Sequence, residues 1–236
     1  MNKRAAYKAL EAKMIGYADL VGVPVQPIQE KLVPIMANSS LTAKPINNDM
    51  QAYTGELIYV REGVLDRLTQ AAELLAKNRP GLQLQVVYGY RALSVQQRLF
   101  QKYKQQLESK YAGNSLLEAT HRLIAVPEIA GHPTGGAVDI RIVENDEPID
   151  MGTSIWEFVN DSFTFSPFIS KAAQDNRQLL RKVMMEVGFA PFDGEWWHFS
   201  YGDKEWAKYY QKPYALYEQT EFNIISKNEK KFGQEV

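Results

Sequence analysis

Ala6, Leu10, Met14, Tyr17 and Leu20 recur at helical spacing through residues 3–21, so the chain is expected to open on an amphipathic helix. Residues 22–56 lose that period. Pro24, Pro27, Pro34, Pro45 and Gly55 interrupt them, and the segment reads as an irregular arm wrapping the core. The period returns from Ile58 to Lys77, where Val60, Val64, Leu65, Leu68, Ala71, Ala72 and Leu75 form the buried face of a helix that Asn78-Arg79-Pro80-Gly81 stops. Leu82, Leu84, Val86 and Tyr88 then alternate with Gln83 and Gln85, which predicts a half-buried strand running into Gly89-Tyr90-Arg91. Ser94 and Gln97 form a capping-box pair ahead of a helix carrying Val95, Leu99, Tyr103 and Leu107, and a shorter helical turn follows from Ser115, boxed by Glu118. Gly135-Gly136 breaks into a strand through Ile142, with Val138 and Ile140 on one face and Asp139 and Arg141 on the other. Residues 168–187 read as a third long helix ended by Gly188, followed by a strand around Trp196 to Tyr201. The polar segment from Lys227 reads as a frayed tail.

Long helices outside several short strands give an α+β expectation, with a small central antiparallel sheet flanked by helices. No internal repeat or low-complexity linker divides the sequence. Residues 1–236 are therefore read as one domain, with the N-terminal helix and arm (1–56) around the core and a polar tail at about 227–236.

Composition narrows the function more than the fold. The chain is 45% hydrophobic and 23% charged with a net charge of −1, and it has no basic run, so neither a nucleic acid nor an anionic membrane surface is an expected partner. It has no cysteine, which removes disulfides, zinc-thiolate sites and thiol nucleophiles together. No apolar stretch is long enough to span a bilayer. Met1-Asn-Lys-Arg begins like a basic leader, but Glu11, Lys13 and Asp19 interrupt the apolar run a leader needs. A cytoplasmic protein is the expectation, and an exported protein whose leader has been removed is the alternative. The sequence says nothing about oligomeric state.

The chain has three histidines, and two of them sit beside carboxylates near glycine-punctuated strand ends. His132 opens His-Pro-Thr-Gly-Gly-Ala-Val-Asp, which closes on Asp139; Glu195 opens Glu-Trp-Trp-His, which closes on His198. The Thr-Gly-Gly turn allows His132 to fold back toward the strand of Asp139. Glu195 and His198, three apart, would point to opposite faces of a regular strand, so they share a site only if the chain bends, and Gly194 is the place for that. Two imidazoles and two carboxylates supply what a catalytic zinc site needs: three protein ligands, an open position for water, and a base for its proton. The tandem Trp196-Trp197 is expected to wall such a site and exclude water. His121, in a helical stretch, reads as structural.

At these residues the chain resembles the zinc D-alanyl-D-alanine dipeptidases, within a wider group of peptidoglycan metallopeptidases of hedgehog-like fold. The family pattern Ser-x-His-x-x-Gly-x-Ala-x-Asp is matched at His132, Gly135, Ala137 and Asp139, and Glu-Trp-Trp-His-Phe is matched from Glu195. Gly89-Tyr90-Arg91 matches the dipeptidase branch, and Gln97 sits where its downstream glutamine does. Weaker similarity at Tyr53-Thr54-Gly55, Met151-Gly152-Thr153 and from Asn176-Arg177 to Gly188-Phe189 extends the likeness over most of residues 48–206. The resemblance implies one Zn²⁺ per chain on His132, Asp139 and His198, with Glu195 as catalytic base and Arg91 stabilising the tetrahedral intermediate. Tyr90, Trp197 and Glu157 are the candidates for contact with a small dipeptide substrate. Two positions depart from the pattern: the serine before the first histidine is Ala130, and Pro-Phe-Asp after Met151-Gly152-Thr153 is Ser154-Ile155-Trp156. In the family both lie near the dipeptide and the aspartate helps hold its amino group; either Glu157, one position on, takes over that task, or the pocket accepts something other than D-alanyl-D-alanine.

Three functions are weighed on this basis. The first is hydrolysis of D-alanyl-D-alanine or a related small dipeptide. The second is a D,D-carboxypeptidase or peptidoglycan endopeptidase acting on longer stem peptides. The third is a non-catalytic zinc-binding homologue, which Glu195 and Arg91 argue against.

Overall fold

The computed structural model describes residues 2–225; the tail expected from Lys227 lies outside them. Two short helices, α1 (Lys3–Glu11) and α2 (Tyr17–Leu20), replace the single helix expected over 3–21. The break is made from a distance. The Glu118 carboxylate accepts the backbone N–H groups of Tyr17 and Ala18 at 3.0 and 2.9 Å, and Asp19 accepts that of Gly16 at 3.0 Å. A helix start needs acceptors for its first free N–H groups, so Glu118 starts α2 instead of boxing its own helix.

The arm is more ordered than its prolines imply. It holds β1 (Leu32–Pro34), β2 (Leu41–Ala43) and α3 (Gln51–Thr54). β1 pairs antiparallel with β3 (Tyr59–Arg61), which claims the first residues of the helix expected from Ile58. α4 (Glu62–Asn78) then buries Val64, Leu68, Ala71, Ala72 and Leu75 as the period requires. Next come β4 (Leu82–Tyr88), α5 (Leu93–Leu107), α6 (Gly113–His121), β5 (Ala137–Glu144) and β6 (Glu147–Pro148). α7 (Lys171–Glu186), β7 (Ala190–Pro191), β8 (His198–Ser200) and α8 (Lys204–Tyr209) follow. The capping box at Ser94 does not form: the Ser94 hydroxyl pairs with that of Tyr53 at 2.6 Å, and Gln97 is exposed.

The main sheet runs β2-β4-β5-β8-β7, with β6 paired to β5. Every pairing is antiparallel except β2 with β4, so the expected antiparallel sheet is mixed. β4 is an interior strand, buried on both faces. Its Gln85 lies opposite Arg141 and accepts two N–H groups from that guanidinium at 2.9 and 2.7 Å, which satisfies a polar pair inside the sheet. Helices α4 and α7 cover one face, where Leu68, Leu75, Val86, Ile140, Leu180 and Phe199 share one apolar cluster. The opposite face carries the polar residues of interest.

Candidate metal centre and catalytic cavity

The register of the sheet assembles the site. Asp139 on β5 lies directly opposite His198 on β8 and Tyr88 on β4, and opposed residues share a face. A bulge between Val86 and Tyr88 sets the β4 side of that alignment. His132 arrives from a short 3₁₀ turn over 132–134 that Gly135 closes at φ 75°, a left-handed conformation suited to glycine. Arg61 clamps this turn: its Nε donates to the Thr134 carbonyl at 2.7 Å and its backbone N–H to that of Gly135 at 3.0 Å. The bend required between Glu195 and His198 is present, with the His198 N–H donating to the Glu195 carbonyl at 3.0 Å and the Glu195 N–H to that of Phe192 at 3.0 Å.

His132 Nε2 and His198 Nδ1 stand 3.5 and 3.1 Å from Asp139 Oδ1, and the donor atoms of all three residues lie within 4.8 Å of one another. Tetrahedral zinc with bonds of about 2.0–2.1 Å separates its ligands by roughly 3.3 Å, so the donor set fits the ion. The outer atoms are engaged as well. His132 Nδ1 lies 2.8 Å from the Gly89 carbonyl, an acceptor only, so Nδ1 carries the proton and Nε2 presents a lone pair. Glycine at 89 lets β3 pass close by, because a Cβ there would lie 2.5 Å from the Tyr59 carbonyl oxygen. Trp156 Nε1 donates to Asp139 Oδ2 at 2.8 Å, which leaves Oδ1 facing inward.

The electrostatics agree with a cation site. Burial alone would raise Asp139, but the imidazoles of His132 and His198 hold it far below the usual carboxylate range. Burial lowers His132, assisted by the Arg91 charge. For His198 burial is overruled by the hydrogen bond to Asp139 and the charges of Glu205, Asp139 and Glu195, which together push it up to about 9. The proton held there occupies the place a divalent ion would take. Glu195 is raised to about 8, first by burial and then by the nearby carboxylates of Asp139 and Glu205, against the opposing pull of His198. A dication on the triad favours its ionised form.

Triad, Glu195 and Arg91 line one cavity of about 70 Å³. Arg91 is buried and braced: Nε donates to the Tyr88 hydroxyl at 3.2 Å, one terminal nitrogen to Gln96 Oε1 at 2.7 Å, and its backbone N–H to the His132 carbonyl at 3.1 Å. Gln96 in turn donates to the Ala125 carbonyl at 2.7 Å. The glutamine that serves the site is thus Gln96, on the inner face of α5, and not Gln97 one position on.

Three other expected contacts fall elsewhere. The Tyr90 hydroxyl donates to the Thr220 carbonyl at 2.9 Å and accepts the Phe222 N–H at 3.0 Å, outside this cavity. Trp197 is fully buried and packs edge-on against Trp196 and Phe158; it supports the wall behind Glu195. Glu157 accepts the Ser154 N–H at 3.0 Å and borders a separate surface cavity. Residues that the periodicity did not single out do line the cavity: Trp156, Glu205, and His121, which had read as structural. Trp156 is held by a loop that the buried Arg177 organises, donating to the carbonyls of Met151, Asp161 and Phe163 at 2.7, 2.8 and 2.7 Å.

A sheet-borne His-Asp-His triad with a buried glutamate beside it defines a metallopeptidase. Residues 39–221 match the family model described as D-ala-D-ala dipeptidase, and the chain belongs to that family. It is 30% identical over 222 residues to the D-alanyl-D-alanine dipeptidase of Synechocystis sp., spanning 81% of this chain and 90% of that relative. It is also 30% identical over 151 residues to the D-alanyl-D-alanine dipeptidase of Escherichia coli, spanning 62% and 71%. Among solved structures, a zinc-bound mutant of the vancomycin-resistance D,D-pentapeptidase VanY aligns over 84% of this chain and 96% of its own, at 20% identity and a TM-score of 0.40. The cofactor of the family is zinc, which the donor set fits. Among the described residues no helix is long and apolar enough to cross a membrane.

Proposed function

We propose that this chain hydrolyses D-alanyl-D-alanine, with His132, Asp139 and His198 holding one Zn²⁺, Glu195 carrying the proton and Arg91 facing the developing oxyanion. The observation that carries the reading is the shared cavity: three converging donor atoms, a buried carboxylate and a braced guanidinium open onto the same small space. Zinc, when bound, supplies a Lewis acid and makes water a usable nucleophile near neutral pH. Glu195 accepts the proton of the attacking water and returns it to the departing amine. Burial raises its affinity for a proton above that of an exposed carboxylate, and a dication on the triad would lower it again. Arg91 is permanently charged, and Tyr88 and Gln96 fix it before substrate arrives, so little reorganisation is needed as negative charge builds. The apolar wall from Leu123, Ile124 and Ile129 suits small methyl side chains. The dipeptidase names of the relatives support this reading over the carboxypeptidase one.

The decisive assay compares D-Ala-D-Ala with an acyl-blocked D-Ala-D-Ala peptide, with and without a chelator. The expected result is chelator-sensitive cleavage of the free dipeptide. A clear preference for the blocked peptide overturns the dipeptidase assignment in favour of the longer-substrate alternative.

A further inference from the structure

The cavity contains two polar side chains to which the chemistry above gives no task. His121, at the end of α6, is 7% exposed, and its Nδ1 is buried without a hydrogen-bond partner. Glu205, in α8, has a side chain 15% exposed, and its Oε1 is likewise buried without a partner. Its Oε2 faces His198 Nε2 at 4.0 Å, too long for a hydrogen bond. Buried polar atoms are as a rule satisfied, and those that are not call for a ligand, a water or an ion.

A free dipeptide brings one cation and one anion into the cavity, and elimination assigns them. Of the carboxylates lining it, Asp139 belongs to the metal donors and Glu195 to proton transfer, which leaves Glu205. Of the side-chain donors, His132 and His198 belong to the metal set, Arg91 to the oxyanion, Gln96 to the Ala125 carbonyl and Trp156 to Asp139, which leaves His121. The two positions at which this chain departs from its family pattern point the same way. Ala130 has no hydrogen-bonding side chain, and the indole N–H of Trp156 is spent on Asp139.

We propose that Glu205 receives the α-ammonium of the substrate and His121 its α-carboxylate, so that these two residues make the enzyme specific for peptides free at both ends. The proposal rests on the dipeptidase reading and deepens it. Each contact completes a buried atom that lacks a partner without substrate, and each is lost when the matching terminus is blocked. Leu20, Leu123 and Ile124 beside His121 give the alanyl methyl an apolar surface.

The test uses the zinc-loaded protein carrying Glu195→Gln, in which turnover is slowed so that binding can be read, and measures dissociation constants by calorimetry for D-Ala-D-Ala, its N-acetyl derivative and its C-terminal amide. Each blocked ligand is expected to bind at least roughly 30-fold more weakly than the free dipeptide, as for loss of a buried hydrogen bond to an ionised group. Adding Glu205→Gln should erase the penalty for acetylation and leave that for amidation, with partial recovery in Glu205→Asp. His121→Asn should do the reverse. If Glu205→Gln weakens all three ligands alike and lowers zinc content, Glu205 merely steadies His198, and its half of the proposal is wrong. If His121→Asn leaves the amide penalty intact, His121 only packs. Hydrolysis by the unsubstituted enzyme separates the two levels. Cleavage of D-Ala-D-Ala with both penalties unchanged in the variants overturns this inference alone, whereas no cleavage overturns the function on which it rests.

Discussion

The two halves of the cavity are built differently. The metal half comes from adjacent strands: Asp139 and His198 are cross-strand neighbours, and His132 hangs from a turn clamped by Arg61. Its donor atoms face one another, and the outer atoms of His132 and Asp139 are hydrogen-bonded. The other half comes from the end of α6, the 3₁₀ segment at Pro127–Ile129 and the first turn of α8, and it keeps two buried polar atoms unpaired. The difference separates two requirements. Chemistry needs geometry set before the substrate arrives, whereas recognition needs groups that only the substrate completes.

The strongest way to break the comparison is to remove a sheet donor. His198→Ala should abolish both zinc binding and hydrolysis, read by elemental analysis alongside activity; retention of stoichiometric zinc would show that the sheet register does not define the ion site. Glu195→Gln should lower kcat by about 10²–10⁴ while zinc stays bound, since glutamine cannot take the proton. Arg91→Ala should cost about 10²–10³, again mainly in kcat. Near-normal kcat in Glu195→Gln would remove the base from the scheme.

Support of the donors is the next level. Trp156→Phe deletes one hydrogen bond to Asp139 and keeps the ring volume, so zinc affinity should fall by about 10–100-fold, measured by competition with a chelator. An unchanged affinity would mean that the strand alone orients the carboxylate.

The last effect lies in the recognition half and appears as stability, not rate. Burial pushes His121 down from 6.5 to about 4, so it is neutral in the folded protein at pH values where the unfolded chain is protonated. The unfolded state therefore binds more protons between these values. Stability from this group is complete above about pH 6.5 and declines as pH falls toward 4, by roughly 3 kcal/mol in all. Denaturant midpoints of the wild type and His121→Asn, compared at pH 7 and pH 4.5, should show a smaller loss in the variant. Equal losses would place the acid sensitivity elsewhere.

The same division explains what could be read from the sequence. The triad was legible because its spacing is local and its strands alternate: once Asp139 faces away from Val138 and Ile140, pairing with β8 delivers His198. The long helices α4, α5 and α7 followed their apolar periods to within a few residues. What escaped depends on side chains that meet across long separations. Glu118 looked like a local cap, yet its acceptors serve Tyr17 and Ala18 a hundred residues earlier and cut the first helix in two. Gln96 and Gln97 differ only in which face of α5 they occupy, and the resemblance placed the family glutamine on Gln97, whereas Gln96 is the one that braces Arg91. β1 and β2 are three residues each, too short to show a period, and partner strands supply their hydrogen bonds. His121 carried no local signal, because its importance lies in the partner it lacks.

The bridge from Glu118 to α2 has an outcome beyond the local geometry. It ties α2 to Glu118, three residues before His121 on α6, and Leu20 of α2 lines the cavity, so the leading segment contributes to the chamber wall. Relatives that keep both histidine motifs but differ in this leading segment can therefore differ in the size of peptide they admit. Grafting one such segment onto another member offers a route to altered selectivity that leaves the His-Asp-His triad untouched.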